Sequence, residues 1–382
     1  MRSAWKSVRL IDICELINGR AYNKQELLDA GPTPVLRVGN FFTNRNWYYS
    51  DLTLDADKYC DDGDLLYAWS ASFGPRIWDG GRVIYHYHIW KIIPDQELID
   101  KKFLYYFLDF DKEKIQAEQG AGTTMVHVTK GAMEQRPLLL PPLPEQKRIV
   151  AILDEAFAGI AAATANAEKN LANARELFTS YVSLIFSSQE GDWTALPLGE
   201  ICENLDSRRI PITKSDRAEG DIPYYGASGI VDYVAEHIFD EDILLISEDG
   251  ANLLARTYPI AFSVSGKCWV NNHAHVVRFT SMATQRIVEF YLNSISLAPY
   301  VSGMAQPKLN QKAMNSIIVP LPPQEDHARI VGQIEMIQEE SKRLEDNYSQ
   351  KLAALNELKQ AILQKAFSGD LTGIKTRHCE AA

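Results

Sequence analysis

The sequence has few of the residues that build metal clusters, disulfide frameworks or membrane spans. Its five cysteines are far apart in a chain of 382 residues, and no two form a Cys-x-x-Cys pair. A thiolate zinc site of the usual spacing is therefore excluded, and a disulfide framework is not expected. No uninterrupted run of about 18 apolar residues is present, so we expect no membrane contact. No secretory signal is visible, and the sequence predicts a cytoplasmic protein.

Positive charge and catalytic motifs are also scarce. The formal net charge is −11, and the acidic excess is spread along the chain, which lowers the expectation of nucleic-acid binding but leaves room for a local basic patch. No GxGxxG motif opens a helix, and no Asn/Asp-Pro-Pro-aromatic tetrapeptide of the amino-methyltransferases occurs. The glycine-rich residues 120–124 lack the Gly-Lys-Ser/Thr ending of a phosphate loop. The sequence predicts a chain that is not itself an enzyme.

An internal repeat is the main positive feature. Residues 5–14 resemble residues 193–202, and residues 122–187 align without a gap to a segment 181 positions later. Each half contains a variable domain, a Leu-Pro-Pro turn and a helical segment. The predicted boundaries are a first variable domain at 1–141, a first helix at 142–188, a second variable domain at 189–321, a second helix at 322–370 and a C-terminal tail at 371–382.

The variable domains combine strand and helix patterns. Short β-rich runs such as residues 83–87 and 275–279 are bounded by Gly, Asn and Asp. Amphipathic helices are expected near residues 102–108 and 284–292. The predicted fold class is α+β, with two tandem mixed domains, two long helices and a pseudo-twofold internal repeat.

The helical segments have a seven-residue apolar repeat, which predicts a coiled-coil seam about 36 residues long. The seam is mostly alanine in the first helix and leucine or isoleucine in the second. This difference favours an antiparallel pair within the chain, with the alternative that each helix packs only on its own domain. The predicted spacer residues are Ile149, Leu153, Ile160, Leu177, Ile330, Ile334, Ile337, Leu344, Leu355 and Ile362.

Two motifs raise the question of a metal. The pairs His86-Tyr87-His88 and His273-Ala274-His275 would each place both imidazoles on one face of a strand. Their similar positions in the two halves favour a structural role, and no metal is expected. The acidic residues 247–250 lack calcium-loop spacing and are interpreted as a turn.

Polar loops with arginine, asparagine and aromatic residues recur in both halves. Such side chains can neutralise phosphates or contact base edges, although most such clusters are ordinary solvated turns. The predicted DNA-binding residues are Arg37, Asn40, Trp69, Ser70, Ser72, Arg76, Thr123, Thr124, Arg208, Arg209, Tyr224, Tyr225, Ser228, Asn252, Arg256, Asn272, Lys308 and Asn310.

These features together resemble the specificity subunit of a type I restriction-modification system. Residues 140–150, Leu-Pro-Pro-Leu-Pro-Glu-Gln-Lys-Arg-Ile-Val, are similar to the motif that opens the family's spacer helix. The second copy departs from the motif at Asp326-His327. Residues 367–371 resemble the end of the terminal helix, and the loops of the two halves resemble different classes of target recognition domain.

The resemblance implies a non-catalytic subunit that reads an asymmetric, split target in double-stranded DNA. Each target recognition domain would read one half, and the antiparallel helices would set the unread gap. The implied partners are two DNA methyltransferase subunits and, through them, motor-nuclease subunits. S-adenosylmethionine, ATP and magnesium would then belong to the partners, with no cofactor on this chain. The alternatives are a chain that methylates or cleaves DNA by itself and a structural adaptor without DNA contacts.

Overall fold

The structure is a computed structural model, and it describes residues 5–70, 73–119, 128–188, 192–303 and 306–372. It contains a first head (residues 6–140), a second head (residues 194–321) and two long helices. The elements of the first head are β1 (Lys6–Arg9), β2 (Cys14–Asn18), β3 (Thr33–Leu36), α1 (Val38–Phe41), β4 (Tyr48–Ser50), β5 (Tyr59–Cys60), β6 (Leu65–Ala68), β7 (Gly74–Ile77), β8 (Val83–Tyr85), β9 (Ile89–Pro94), α2 (Lys101–Gln119), α3 (Lys130–Glu134) and β10 (Pro137–Leu140).

The first long helix, α4 (Leu143–Ser188), leads from the first head to the second. The second long helix, α9 (His327–Ser368), follows the second head. The elements between them are β11 (Thr194–Pro197), α5 (Leu198–Ile201), β12 (Glu203–Asn204), β13 (Ile222–Gly226), β14 (Gly229–Val234), β15 (Phe239–Asp240), β16 (Ile243–Ser247), α6 (Asn252–Ala255), β17 (Ala261–Val264), β18 (Lys267–Val270), β19 (Ala274–Arg278), α7 (Met282–Ser294), α8 (Gln311–Asn315) and β20 (Ile318–Leu321).

The two heads share one sheet topology. In the first head the strands pair in the orders β2-β9-β6-β7 and β4-β3-β8-β5, with β1-β10 as a separate pair. Adding ten to each strand number gives the orders in the second head. The parallel pairing of β3 with β8 in the first head recurs as the parallel pairing of β13 with β18 in the second. The predicted α+β fold and internal repeat are confirmed.

One strand in each head separates two hydrophobic cores. All four residues of β6 are buried, although a strand with one solvated face would alternate apolar and polar residues. Alternate side chains point to opposite faces. Leu65 and Tyr67 therefore pack in the core that includes α2 and α4, whereas Leu66 and Ala68 pack in a smaller core with β8. Strand β16 divides its head in the same way.

The long helices exceed their predicted length. Helix α4 has 46 residues and α9 has 42, against about 36 expected from the heptad pattern. The heptad pattern starts at Ile149 and Ile330, whereas α4 already begins directly after Pro142 and α9 begins at His327. Helix α9 ends where Gly369 adopts a φ of +83°, the left-handed conformation that glycine tolerates best at a helix end.

The chain divides into two compact units, each with its own pair of helix halves. The first unit is Met1–Asn166 with Lys351–Ala382, and the second is Ala167–Gln350. In the first unit Lys359 Nζ lies 5.5 Å from the centre of the Phe157 ring. In the second unit Arg175 forms an ion pair with Glu345 at 3.3 Å. Because each unit joins the first half of one helix to the second half of the other, the helices run antiparallel where they meet, as predicted.

Helix α4 also meets a simple criterion for a membrane span. One 18-residue window has a mean hydropathy of 1.4, and 17% of that window is buried. The sequence contains no uninterrupted apolar run of this length because Asp154 and Glu155 fall within the helix. The criterion uses length and composition only, and the side chains of Ile149, Val150 and Leu153 pack in the core of the first head.

Candidate nucleic-acid interface

A buried polar network ties together the loops of the second head. Arg209 donates to the Glu248 carboxylate at 2.6 Å and to the Ala274 carbonyl at 2.7 Å. His275 Nδ1 lies 2.6 Å from Asp206 Oδ2. His275 Nε2 donates to the carbonyl of Leu309 at 2.8 Å, since a carbonyl oxygen can only accept. The segments that contain Arg209, Glu248 and Leu309 are distant in sequence, and these bonds hold them around β19.

Both carboxylates of this network remain charged despite their burial. Burial alone would raise the pKa of Asp206, but hydrogen bonds from His275 and from the Val276 N–H outweigh it and hold that pKa below its usual range. Burial opposes ionisation of Glu248 in the same way, and the Arg209 guanidinium, His275 and Lys308 together lower its pKa. The network is therefore an ion-paired support for the surrounding loops.

All three arginines predicted to contact DNA in the second head bind other groups of the protein. Arg208 pairs with Glu241 at 2.6 Å, and Arg209 with Glu248 at 2.6 Å. Arg256 has left-handed backbone angles, and its guanidinium donates to the carbonyls of Leu292 and Asn293 at the end of α7. These guanidinium groups hold the head together in this structure.

The other residues predicted in this head occupy varied positions. Tyr224 is buried, and Tyr225 packs against Phe262 with 5.8 Å between ring centres. Ser228 and Asn272 are exposed in turns. The side chains of Asn252 and Asn310 bond to backbone atoms, those of Tyr258 and Ala313 respectively. Lys308 is half exposed and pairs with Glu248 at 3.1 Å.

In the first head the structure brings Arg37, Asn40 and Arg76 together. The Asn40 side chain is buried, accepts from the Arg37 backbone N–H at 2.7 Å and donates to the Val35 carbonyl at 3.1 Å. Arg76 donates to the carbonyl of Phe41 and pairs with Asp79. Asn40 and Arg76 thus support the backbone of a loop that begins at Arg37.

Two further predicted residues directly follow β6, and the first of them contacts the turn between β8 and β9. Trp69 donates to the carbonyl of Tyr87 at 2.9 Å and stacks on Trp90 with 5.6 Å between ring centres. Ser70 is buried. The predicted residues Ser72, Thr123 and Thr124 lie outside the described residues.

The two His-x-His pairs have different surroundings. The first pair lies in a turn, because β8 ends at Tyr85 rather than at residue 87 as the sequence predicted. Burial, followed by the charges of His88 and Arg37, lowers the pKa of His86 to about 4. In the second pair His273 pairs with Asp249, and His275 belongs to the buried network. Within the described residues, no group of three or more His, Cys, Asp or Glu side chains could hold a metal ion.

The predicted spacer residues differ in exposure. Ile149, Leu153, Ile330 and Ile334 are buried. Leu177 is 41% exposed. The remaining members, Ile160, Ile337, Leu344, Leu355 and Ile362, are partly buried.

The sequence matches the family model described as "Type I restriction modification DNA specificity domain" over residues 2–171 and 190–362. The chain belongs to this family. The specificity subunits of type I systems are non-catalytic DNA-recognition subunits, which confirms the prediction that this subunit is not an enzyme. Its two matched regions each contain one complete set of ten head strands.

Curated relatives of this specificity subunit include a type I restriction enzyme specificity subunit of Haemophilus influenzae, 34% identical over 40% of this chain and 38% of that protein. The chain thus matches less than two thirds of that relative's length. The EcoBI specificity subunit of Escherichia coli is 22% identical over 97% of this chain and 87% of that protein.

Two solved structures share the fold. A chain from a study of complex assembly and conformational transition of the type I R-M system has a TM-score of 0.77 and 19% identity, covering 97% of this chain and 99% of its own. The HsdS subunit of Thermoanaerobacter tengcongensis has a TM-score of 0.58 and 22% identity, covering 97% and 98%. These likenesses confirm the architecture of two heads and long helices.

Proposed function

We propose that this specificity subunit recognises a split, asymmetric sequence in double-stranded DNA. The first head reads one half of the target, the second head reads the other half, and the long helices set the length of the unread gap. The observation that carries the proposal is that ten strands correspond one to one between the heads while their connecting loops differ. A shared scaffold with unlike loops suits two different half-sites.

We further propose that two methyltransferase subunits bind along the long helices and recruit motor-nuclease subunits. The apolar window of α4, of which 17% is buried, supports a role for this helix in protein contacts. S-adenosylmethionine, ATP and magnesium would be held by those partners, and the complex would act in the cytoplasm. Sharing DNA contacts with partners is consistent with a net charge of −11 on this chain.

Methylome sequencing of host cells tests the proposal. Deleting the chain should abolish one split methylation motif. Exchanging residues 1–141 for the corresponding head of another specificity subunit should change one half-site and leave the other half-site and the gap unchanged. A methylome that is unaffected by deletion, or a head exchange that leaves both half-sites unchanged, would contradict the proposal.

A further inference from the structure

The segments that connect equivalent strands in the two heads differ most in length between β3 and β4. In the second head, β13 and β14 are joined by a tight turn, residues 227–228. In the first head, β3 and β4 are joined by residues 37–47, which include α1. We call residues 37–47 the β3–β4 loop. Its length is a property of the first head alone, so it is a candidate for recognition of the half-site assigned to that head.

Contacts from the rest of the head hold the β3–β4 loop in one conformation. The buried Asn40 side chain accepts from the Arg37 N–H and donates to the carbonyl of Val35, so it ties α1 to the end of β3. Arg76 binds the carbonyl of Phe41, and the Trp47 ring lies 6.3 Å from that of Trp78. Asn44 and Asn46 adopt left-handed angles with φ of +54° and +57°. A loop that is ordered before binding loses little entropy when it contacts a ligand.

The loop carries cationic groups that the protein leaves unneutralised. Every other arginine of the first head that the structure describes forms an ion pair with a carboxylate. Among the described residues, no carboxylate forms an ion pair with Arg37 or Arg45. The chain as a whole is acidic, but two unpaired arginines give this loop a local positive charge. Such a charge attracts an anionic polymer.

The two arginines differ in their surroundings. Arg37 is half buried, and its guanidinium lies over the ring of Tyr48 at 5.1 Å. A cavity of about 240 Å³ adjoins it, lined by Arg37, Gly39, Asn40, Asn46 and Tyr48 without any carboxylate. Arg45 is exposed near the far end of the loop. Arg37 is therefore oriented by its neighbours, whereas Arg45 is exposed to solvent.

We propose that the β3–β4 loop is a DNA-reading element of the first head, in which Arg37 donates to the edge of a guanine and Arg45 contacts a backbone phosphate. A planar guanidinium held in one orientation can donate two hydrogen bonds to guanine O6 and N7. An exposed and flexible arginine suits a phosphate, which carries no sequence information. This assignment rests on the proposed function and specifies which residues perform it.

The test compares four variants of the full chain assembled with its methyltransferase subunit: R37A, R37K, R45A and R82A. Arg82 is the matched control, since it is an exposed arginine of the same head that pairs with Asp61 and covers the ring of Tyr59. Each assembly selects sequences from a randomised duplex DNA library, and the bound sequences are read. Affinity for the selected site is then measured over a range of salt concentrations.

Both Arg37 variants should lose guanine preference at one position of one half-site by about tenfold to a hundredfold. R37K is included because a lysine ammonium is a point charge without the planar fork of a guanidinium, and Arg37 is held in one orientation. R45A should bind all sequences more weakly with an unchanged motif, and its salt slope should fall by about one. R82A should match the wild type. Every variant should still select the half-site read by the second head. Retention of that half-site shows that the assembly is folded.

Several results would overturn the assignment. These are an unchanged motif in R37A, full recovery of guanine preference in R37K, or loss of every position of the half-site in R37K. A wild-type assembly that selects no sequence would instead refute the proposed function itself, so the two failures are distinguishable.

Discussion

At the residue scale, Gln146 and His327 show how unlike side chains can hold the same backbone group. The two residues are 181 positions apart, and both are buried at the start of a long helix. Gln146 Nε2 donates to the Pro141 carbonyl at 2.8 Å, and His327 Nε2 donates to the Pro322 carbonyl at 2.9 Å. The departure from the motif at Asp326-His327 therefore preserves the hydrogen bond that fixes the turn.

His327 can accordingly be replaced by glutamine but not by alanine. H327A leaves the Pro322 carbonyl without its imidazole donor and leaves the Thr284 hydroxyl with Ser281 as its remaining side-chain partner. We expect it to lower the free energy of unfolding by about 1–3 kcal/mol. H327Q should remain close to the wild type because glutamine already makes the equivalent bond in the first half. Urea unfolding measures both variants, and equal losses of stability would contradict the equivalence.

Asp206 should make the stability of the second unit depend on acid pH. Its pKa is lowered in the folded protein, whereas an aspartate in an unfolded chain titrates near about 3.9. Its contribution is thus present above that unfolded value and is lost as the pH falls through the lower folded pKa. D206N should have a smaller change in urea midpoint between about pH 7 and about pH 3 than the wild type. D221N, at an exposed site, is the control and should retain the full change.

At the scale of elements, the long helices meet in the second unit through small side chains. Ala167 and Ala174 of α4 are 1% and 3% exposed, and Ser341 of α9 is 3% exposed. Leu177, a predicted spacer residue of α4, is 41% exposed. Small residues let two backbones approach closely, so this part of the helix pair has little space for a larger or charged side chain.

A charge at Ala174 should therefore disrupt the helix pair. A174E places a carboxylate at a buried position without a partner, and such burial is strongly destabilising. The neighbouring substitution R175A removes only the exposed ion pair with Glu345 and should cost at most about 1 kcal/mol. Circular dichroism during thermal unfolding compares the two. Similar melting temperatures for A174E and R175A would count against close packing at this position.

The elements differ in how well the sequence predicts them. The long helices and the repeat were predictable because heptad spacing and the offset of 181 residues are local or periodic properties. The loops were not, because their roles depend on contacts distant in sequence. Arg208-Arg209 resembled a cationic DNA-binding loop, yet the partners of these arginines, Glu241 and Glu248, lie more than 30 residues away. Residues 41–47 had no motif at all, and only the strand correspondence and the unpaired Arg45 single them out.

At the scale of the whole molecule, the internal repeat assigns the reading of bases and the spacing of half-sites to different parts of the chain. The strands and cores repeat between heads, while the loops, such as residues 37–47, do not. Each compact unit also contains half of both long helices. A change to a loop should then alter which bases one head reads, whereas a change to the helices should alter the spacing between half-sites. These two effects are separable by mutation.

Lengthening both long helices by one heptad should lengthen the unread gap. Seven residues inserted after Asn166 and seven after Gln350 fall at the borders between the units and preserve the seam, because the insertions match the heptad. The added helix is about 10.5 Å long, which corresponds to about three base pairs. Methylome sequencing should show both half-sites unchanged and the gap about three base pairs longer. Insertion in α4 alone should abolish methylation, and an unchanged gap in the double insertion would show that the helices do not set the spacing.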